Sequence, residues 1–490
     1  MSVKEAAKRL VSTPLARQGV FGFFWGLAHM VDTFRQPNRI DDISIEAAVH
    51  ILVFGLAVWL MMGPTKTERL ALMAGANAIE AIIAMPIMPN HKMIGFMADA
   101  AILLSLAVYA FSKRREISNW FSASEPFLRL ALFVTYGSAT ISKLNSGWFN
   151  LEYSCAVTMP AREFAFLDGL LGFEIPWSTL WIMPILVGGS ELLIWLLPLF
   201  AKTRPYALVL AVGFHTMLSL TPVSQGLGFS FWLFALLVLY LPDAAHQEIF
   251  DRGKRFMAAA AKRDLVQFLA YGFLAICGYL LYISFLGYDE TAGDLLGFTR
   301  WIPSLILLLF IGGVIAVSSI KHRNVVQVKP PIGVPTLFHW LLLAVVVANS
   351  LAAYVGVKTY ATMTMFSNLS MKNGNANHLI IPRIPIDMIG DDKVAVIDIN
   401  YAGTSEAERF EIGRKRGRLM QNDGVDQYII WHELRREMSE IPFAAIVYER
   451  NGETFVLERA DEQPELVTLD PILHKLIGFR AWTVNPDCLW

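Results

Sequence analysis

Charge is what this chain has least of. Only 17% of its 490 residues are Asp, Glu, Lys or Arg, against 55% that are hydrophobic, and a mean hydropathy of +0.46 excludes an ordinary water-soluble protein of this length. An excess of one sign is missing as well. Lys and Arg number 41 and Asp and Glu 42, which leaves no electrostatic footprint for a nucleic-acid partner. Cysteine is scarce: Cys155, Cys277 and Cys488 are too few for a disulfide framework and lack paired metal spacing. No Gly-rich phosphate loop, no His pair at i, i+4 and no nucleophile elbow occurs, so no metal, flavin or nucleotide is called for. The basic start (Lys4, Lys8, Arg9) leads into no uninterrupted apolar core with a cleavage site, so no signal peptide is expected.

What is present is apolar and segmented. A hydrocarbon core about 30 Å thick takes roughly 20 apolar residues per helix. Eleven candidate runs (range eight to eleven) lie near 18–34, 43–62, 69–88, 93–111, 125–143, 176–199, 205–221, 226–242, 264–287, 301–319 and 337–358. The expected fold is therefore a polytopic α-helical membrane bundle over residues 1–358. The first, third and fifth runs are interrupted by His29, Asp32, Glu80 or Arg129. Lys113-Arg114-Arg115, the basic stretch from Arg252 to Arg263 and that from Lys321 to Lys329 would lie in inside loops, which places the N-terminus in the cytoplasm and the tail outside.

Beyond residue 358 charges are spread throughout, so 359–490 is expected to form a soluble, extracytoplasmic α+β domain. "VAVIDI" at 394–399 reads as a buried strand and 405–422 as a charged helix entered at a serine cap. "FAAIVYERNGETFVLER" reads as a hairpin turning at Asn451-Gly452, and 471–479 as a closing helix. Cys277 lies inside an apolar run and reads as a small core residue. Cys155 and Cys488 both fall outside, where a disulfide is permitted; whether they pair is left open.

Ionisable residues inside spans are costly and usually face a bundle interior or a wet cavity. Glu80, His91, Asp99, Lys143, Glu191 and His215 are the candidates. Each also has a bland reading as a satisfied core group, and Lys143 could simply snorkel beside Trp148.

Several of these residues fall in motifs. "YGSATISKLNSGWFNLEYS" at 136–154 brings small residues, Ser138 and Ala139, into Lys143-Leu144, followed by Asn145 and Trp148. "MPNHKMIGFMADAAILLSL" opens an apolar helix with Asn90-His91, 52 positions before Lys143, and "GFHTMLSLTP" carries Phe214-His215. These segments, with "TMFSNLSMKNGNANHLIIP" at 364–382 and "HELRREMSEIPFAAIVYER" in the tail, resemble those of vitamin K-dependent γ-glutamyl carboxylase and its bacterial relatives, the HTTM (horizontally transferred transmembrane) proteins.

The resemblance implies an integral-membrane enzyme of a bacterial inner membrane that uses a reduced vitamin K-type quinone (menaquinol or phylloquinol), O2 and CO2. In that chemistry a neutral lysine deprotonates the quinol, and the anion reacts with dioxygen to give an alkoxide. The alkoxide removes a γ-proton from a glutamate, and CO2 traps the carbanion. By resemblance Lys143 is the base, His91 positions or stabilises the anion and His215 is a third member; Asn90, Trp148, Glu191 and Tyr136 would line the quinone and substrate site. A lysine is neutral at pH 7 only where burial offsets its usual pKa near 10.4 and no carboxylate holds its charge. The implied partners are membrane lipid or quinone and a peptide or protein met on the outer face. The tail of about 130 residues is short for gripping a propeptide. The alternative is a non-carboxylating HTTM protein, a lipid- or quinone-binding scaffold or a transporter, in which Glu80, Asp99, Glu191 and His215 form a polar core. Transporters often show related halves, and no internal repeat is detected.

Overall fold

The computed structural model describes residues 3–35, 45–86, 88–111, 120–172, 177–221, 226–261, 290–325, 332–359, 361–371, 376–382, 392–400, 427–470, 472–479 and 482–483. The helices are α1 (Val3–Arg35), α2 (Ile45–Met62), α3 (Thr67–Ala84), α4 (Asn90–Phe111), α5 (Trp120–Ser142), α6 (Cys155–Leu171), α7 (Met183–Leu196), α8 (Arg204–Met217), α9 (Gly226–Leu237), α10 (Asp243–Ala261), α11 (Glu290–Lys321) and α12 (Leu337–Leu351).

Among the described residues, three helical stretches are long and apolar enough to cross a membrane: Asn90–Phe111, Thr179–Leu199 and Trp301–Lys321. Gly226–Tyr240 and Asp243–Ala259 make a fourth only if counted together across a bend of 119°. The eleven expected spans are thus not supported. Ala47–Met62 and Leu337–Leu351 are apolar but fall short of 18 residues. Helices α1, α3 and α5 carry the buried charged residues Asp32, Glu80, Glu125 and Arg129, and the span candidate α4 carries Lys92 and Asp99 in the same way. These runs read as spans because their apolar residues are core residues of a large bundle, and the run at 264–287 lies outside the described residues.

One apolar core ties the helices together. It holds Phe21 and Trp25 of α1, Leu60 of α2, Met73 of α3, Ile94 and Ile102 of α4, Phe127 of α5 and nearly all of α9, which is buried on every side. A segment after α12, residues 361–371, enters the same core through Ala361 and Met363.

The tail forms a five-stranded antiparallel sheet in the order β4-β3-β1-β2-β5. The strands are β1 (Lys393–Asn400), β2 (Gln427–Ile430), β3 (Ala445–Arg450), β4 (Glu453–Leu457) and β5 (Trp482–Thr483). Helix α13 (Trp431–Glu440) packs Leu434 and Met438 into a second core with Val394, Ile446 and Tyr448. The β3–β4 hairpin turns at Asn451-Gly452, both at positive φ (54° and 80°), the backbone that a two-residue turn of this kind demands. The expected closing helix is a single turn, Leu473–Leu476; Gly478 follows within two residues and the chain straightens. The charged helix expected at 405–422 lies outside the described residues.

Candidate functional site

Lys143 stands one residue past the end of α5, where the last carbonyls of a helix lack partners and the macrodipole favours a cation. Its Nζ donates to the carbonyls of Ala139 (3.3 Å) and Met365 (3.1 Å) and lies 5.2 Å from the centre of the Trp148 ring. Asn145 closes the helix end: its Nδ2 donates to Ser142 O (2.7 Å) and its Oδ1 accepts from Trp148 N (2.8 Å). The indole of Trp148 in turn donates to Pro184 O (3.0 Å) at the start of α7.

The condition set for a neutral lysine is not met. Glu191 of α7 places Oε2 2.8 Å from Lys143 Nζ, with the two side chains only 4% and 12% exposed. A carboxylate this close is the partner that a buried ammonium needs, so the geometry supplies Lys143 with an ion-pair partner. The pair sits in a seam between α5 and α7. A Cβ at Gly137 would come within 2.8 Å of the Trp195 indole, so glycine there lets the two helices close. Along that seam Thr140 Oγ1 and Trp195 Nε1 are buried and find no hydrogen-bond partner among the described residues.

Tyr136 and His215 form a separate contact. The phenol oxygen lies 2.6 Å from His215 Nε2, and Phe214, Phe229 and Phe234 surround the imidazole. The His215 carbonyl accepts from Ser219 and Ser230 (2.7 and 3.2 Å). This arrangement holds the end of α8 against α9.

His91 and Asn90 open α4. Asn90 Oδ1 accepts from Met363 N (3.0 Å), two residues from the carbonyl that Lys143 holds, so the 361–371 segment bridges the two sequence motifs. That segment is strained: Ala361, Met363, Phe366 and Asn368 all have φ between 47° and 60°, a region that costs a non-glycine residue about 1 kcal/mol or more. It is held by many bonds. Asn349 Nδ2 donates to Ala361 O (2.7 Å), Cys155 N to Asn368 Oδ1 (2.8 Å) and Asn368 Nδ2 to Tyr153 O (3.0 Å). Cys155 is disulfide-bonded; Cys277 and Cys488 lie outside the described residues.

His91 belongs to a second buried cluster. Its Nε2 lies 3.0 Å from Asp32 Oδ1, whose other oxygen is 3.4 Å from Lys92 Nζ. Lys92 Nζ reaches Glu80 Oε1 at 2.6 Å, and the same oxygen accepts from His50 Nδ1 at 2.8 Å. Asp99, also a candidate, accepts from Trp25 Nε1 (2.9 Å) and Asn77 Nδ2 (2.5 Å), with His29 Nε2 3.7 Å away. Asp32, His50 and Lys92 escaped the candidate list. Asp32 was legible by the criterion that selected Glu80, an acid inside an apolar run; His50 sits in the second run and Lys92 beside His91.

Outside the bundle, burial first and then the neighbouring Arg436 hold the His432 imidazole down to about 4. The same burial raises the Glu433 carboxyl even though Arg436 pairs with it. These groups anchor the C-terminal turn, since Arg436 also donates to His474 O (2.9 Å) and Phe479 N donates to Glu433 (2.7 Å). Among the described residues no group of three His, Cys, Asp or Glu side chains is arranged to hold a metal ion.

Residues 91–243 match the HTTM domain family. The match takes in His91, Lys143, Trp148, Glu191 and His215 and agrees with the resemblance read from those segments. No curated protein and no solved structure matches.

Proposed function

We propose that this is a membrane enzyme of the carboxylase-like kind, in which the α5–α7 seam binds a reduced quinone headgroup and the outer face receives a glutamyl peptide or protein. The observation that carries the reading is the buried Lys143–Glu191 pair, beside Trp195 Nε1 and Thr140 Oγ1, which find no hydrogen-bond partner among the described residues. Buried polar atoms are normally satisfied, and a cation, a carboxylate, an indole and two spare polar atoms together suit a flat ring carrying two oxygens. A bound quinol would supply, with O2, the strong base that takes a γ-proton from glutamate before CO2 adds.

The residues then divide the work. Trp195 and Thr140 orient the ring oxygens by hydrogen bonds. Lys143, already charged, stabilises an oxyanion placed where Glu191 now lies, and such a fixed charge in a dry site is the strongest lever an enzyme has on developing anions. Glu191 keeps the ammonium compensated until that anion arrives. The strained 361–371 segment holds Lys143 through Met365 O and so excludes water from the ammonium. The orientation follows the basic-loop asymmetry, with the tail outside a bacterial inner membrane; a disulfide at Cys155 suits that compartment.

The test is epoxide formation from reduced vitamin K by the purified protein in nanodiscs, with and without a glutamyl peptide. Epoxide that disappears in Lys143→Ala supports the reading. A folded protein that makes none from several quinols removes it.

A further inference from the structure

Helix α10 turns away from α9 by 119°, and its two halves have different surroundings. The first half is tied to the bundle. Asp243 pairs with Arg17 of α1, Ile249 and Phe250 pack on the large core, and a Cβ at Gly19 would come within 2.6 Å of the Phe250 ring. Phe256 and Met257 follow seven positions after Ile249 and Phe250, two helical turns on, so they continue the same face. There the bundle has ended: Phe256 and Met257 are 61% and 56% exposed, and every residue from Arg252 to Ala259 is exposed. An apolar stripe that outruns its own core calls for a second apolar phase.

The level of α10 along the bundle comes from α11. Lys321 closes the apolar stretch Trp301–Lys321, which is long enough to cross a membrane, so it stands where hydrocarbon gives way to headgroups. Glu248 of α10 meets it there. Lys321 Nζ lies 2.5 Å and His322 Nε2 2.9 Å from the carboxylate, which also pairs with Arg252 at 2.6 Å. The surroundings are basic: Arg252, Lys254, Arg255, Lys321 and Arg323 stand against Glu248 and Asp251, and residues 252–259 contain no acid. Lys254 Nζ sits 4.2 Å from the centre of the Phe250 ring, as a cation does at the border of an apolar face.

We propose that residues 252–259 of α10 lie in the plane of the membrane interface and bind anionic lipid, with Phe256 and Met257 in the acyl boundary and Arg252, Lys254 and Arg255 on the headgroup phosphates. The bent α9–α10 pair is then a buried helix followed by a surface helix. It is not a broken span, because Asp251, Arg252, Lys254 and Arg255 would all be costly in hydrocarbon. The proposal stands apart from the quinol reading and does not depend on it.

Amide hydrogen exchange of the full-length protein in nanodiscs of phosphatidylcholine, alone or mixed with phosphatidylglycerol, tests the proposal. The amides of 252–259 should exchange more slowly in the mixed discs, and added salt should remove the difference, since exposed charges are screened. Lys254→Gln with Arg255→Gln, which leaves the Glu248 contacts in place, should cut the phosphatidylglycerol effect on the order of fivefold for each charge removed. Phe256→Ser with Met257→Ser should speed exchange in both kinds of disc. Exchange in α4 reports folding and should be unchanged in either double variant. Equal exchange of 252–259 in the two lipid compositions overturns the proposal, as does phosphatidylglycerol protection that survives Lys254→Gln with Arg255→Gln. Rapid exchange in every lipid, with protection gained only as protein concentration rises, would give this face to a second copy of the chain and overturn it too.

Discussion

Two buried charge clusters lie within this bundle, and they are built differently. At the α5–α7 seam one cation meets one carboxylate, Lys143 and Glu191, and carbonyls from Ala139 and Met365 complete the ammonium's shell. In the α1–α4 cluster two carboxylates, a lysine and two histidines form a chain that ends at the partly open His91. A closed pair holds charge in place. A chain shares its carboxylates among several donors, so the loss of one member reaches more than one partner.

Breaking the chain at its centre has the largest expected effect. Lys92→Met leaves Asp32 and Glu80 without their shared cation, and removing one partner of a buried ion pair costs about 3–5 kcal/mol; thermal unfolding in detergent should show the largest loss of this series. Glu191→Gln strands the Lys143 ammonium and falls near the low end of the same range, about 3 kcal/mol. Replacing both partners with apolar residues, Lys143→Met with Glu191→Leu, should recover most of that stability while abolishing epoxide formation. Recovery of both would contradict the role given to the pair.

The strap that joins the clusters gives a smaller effect. Asn368→Ala loses the acceptor for Cys155 N and the donor to Tyr153 O and puts alanine at φ 53°, for a loss of about 2 kcal/mol. Asn368→Gly should recover the backbone part alone. Comparing the two in hydrogen exchange of residues 361–371 separates strain from bonding.

The smallest effect lies outside the bundle and bounds the comparison. His432 is held down to about 4 by burial and by Arg436, below its unfolded value of about 6.5. The unfolded chain therefore binds the extra proton first, and the stability His432 contributes is complete above about pH 6.5 and lost as pH falls toward 4. Glu433, raised by burial, acts in the opposite direction on acidification, so the measurement is the difference between wild type and His432→Gln in acid unfolding of the tail. The wild type should lose more between pH 6.5 and 4.

What the sequence shows depends on how local each feature is. Asn451-Gly452 announced the hairpin because two consecutive residues carry the positive φ. Lys143 and Trp148 were legible because both lie at one helix end. Glu191 was visible as a buried acid, but its pairing with Lys143 joins residues 48 positions apart, and no local pattern encodes that. Asp32 and His29 looked like interruptions in a span when they are reasons the helix lies inside the bundle. The left-handed Ala361, Met363 and Phe366 have no signature at all, since those residue types ordinarily avoid such backbone. The excess of expected spans has the same origin: a helix buried in protein and one buried in lipid share an apolar composition, and length and charge decide between them only after the helix ends are known.

The most direct test of the account is a single epoxidation assay in nanodiscs that compares wild type, Lys143→Ala and Glu191→Gln at saturating reduced quinone and O2. The account predicts epoxide from the wild type and a deep loss of turnover in both variants. Equal turnover in all three folded proteins would contradict it.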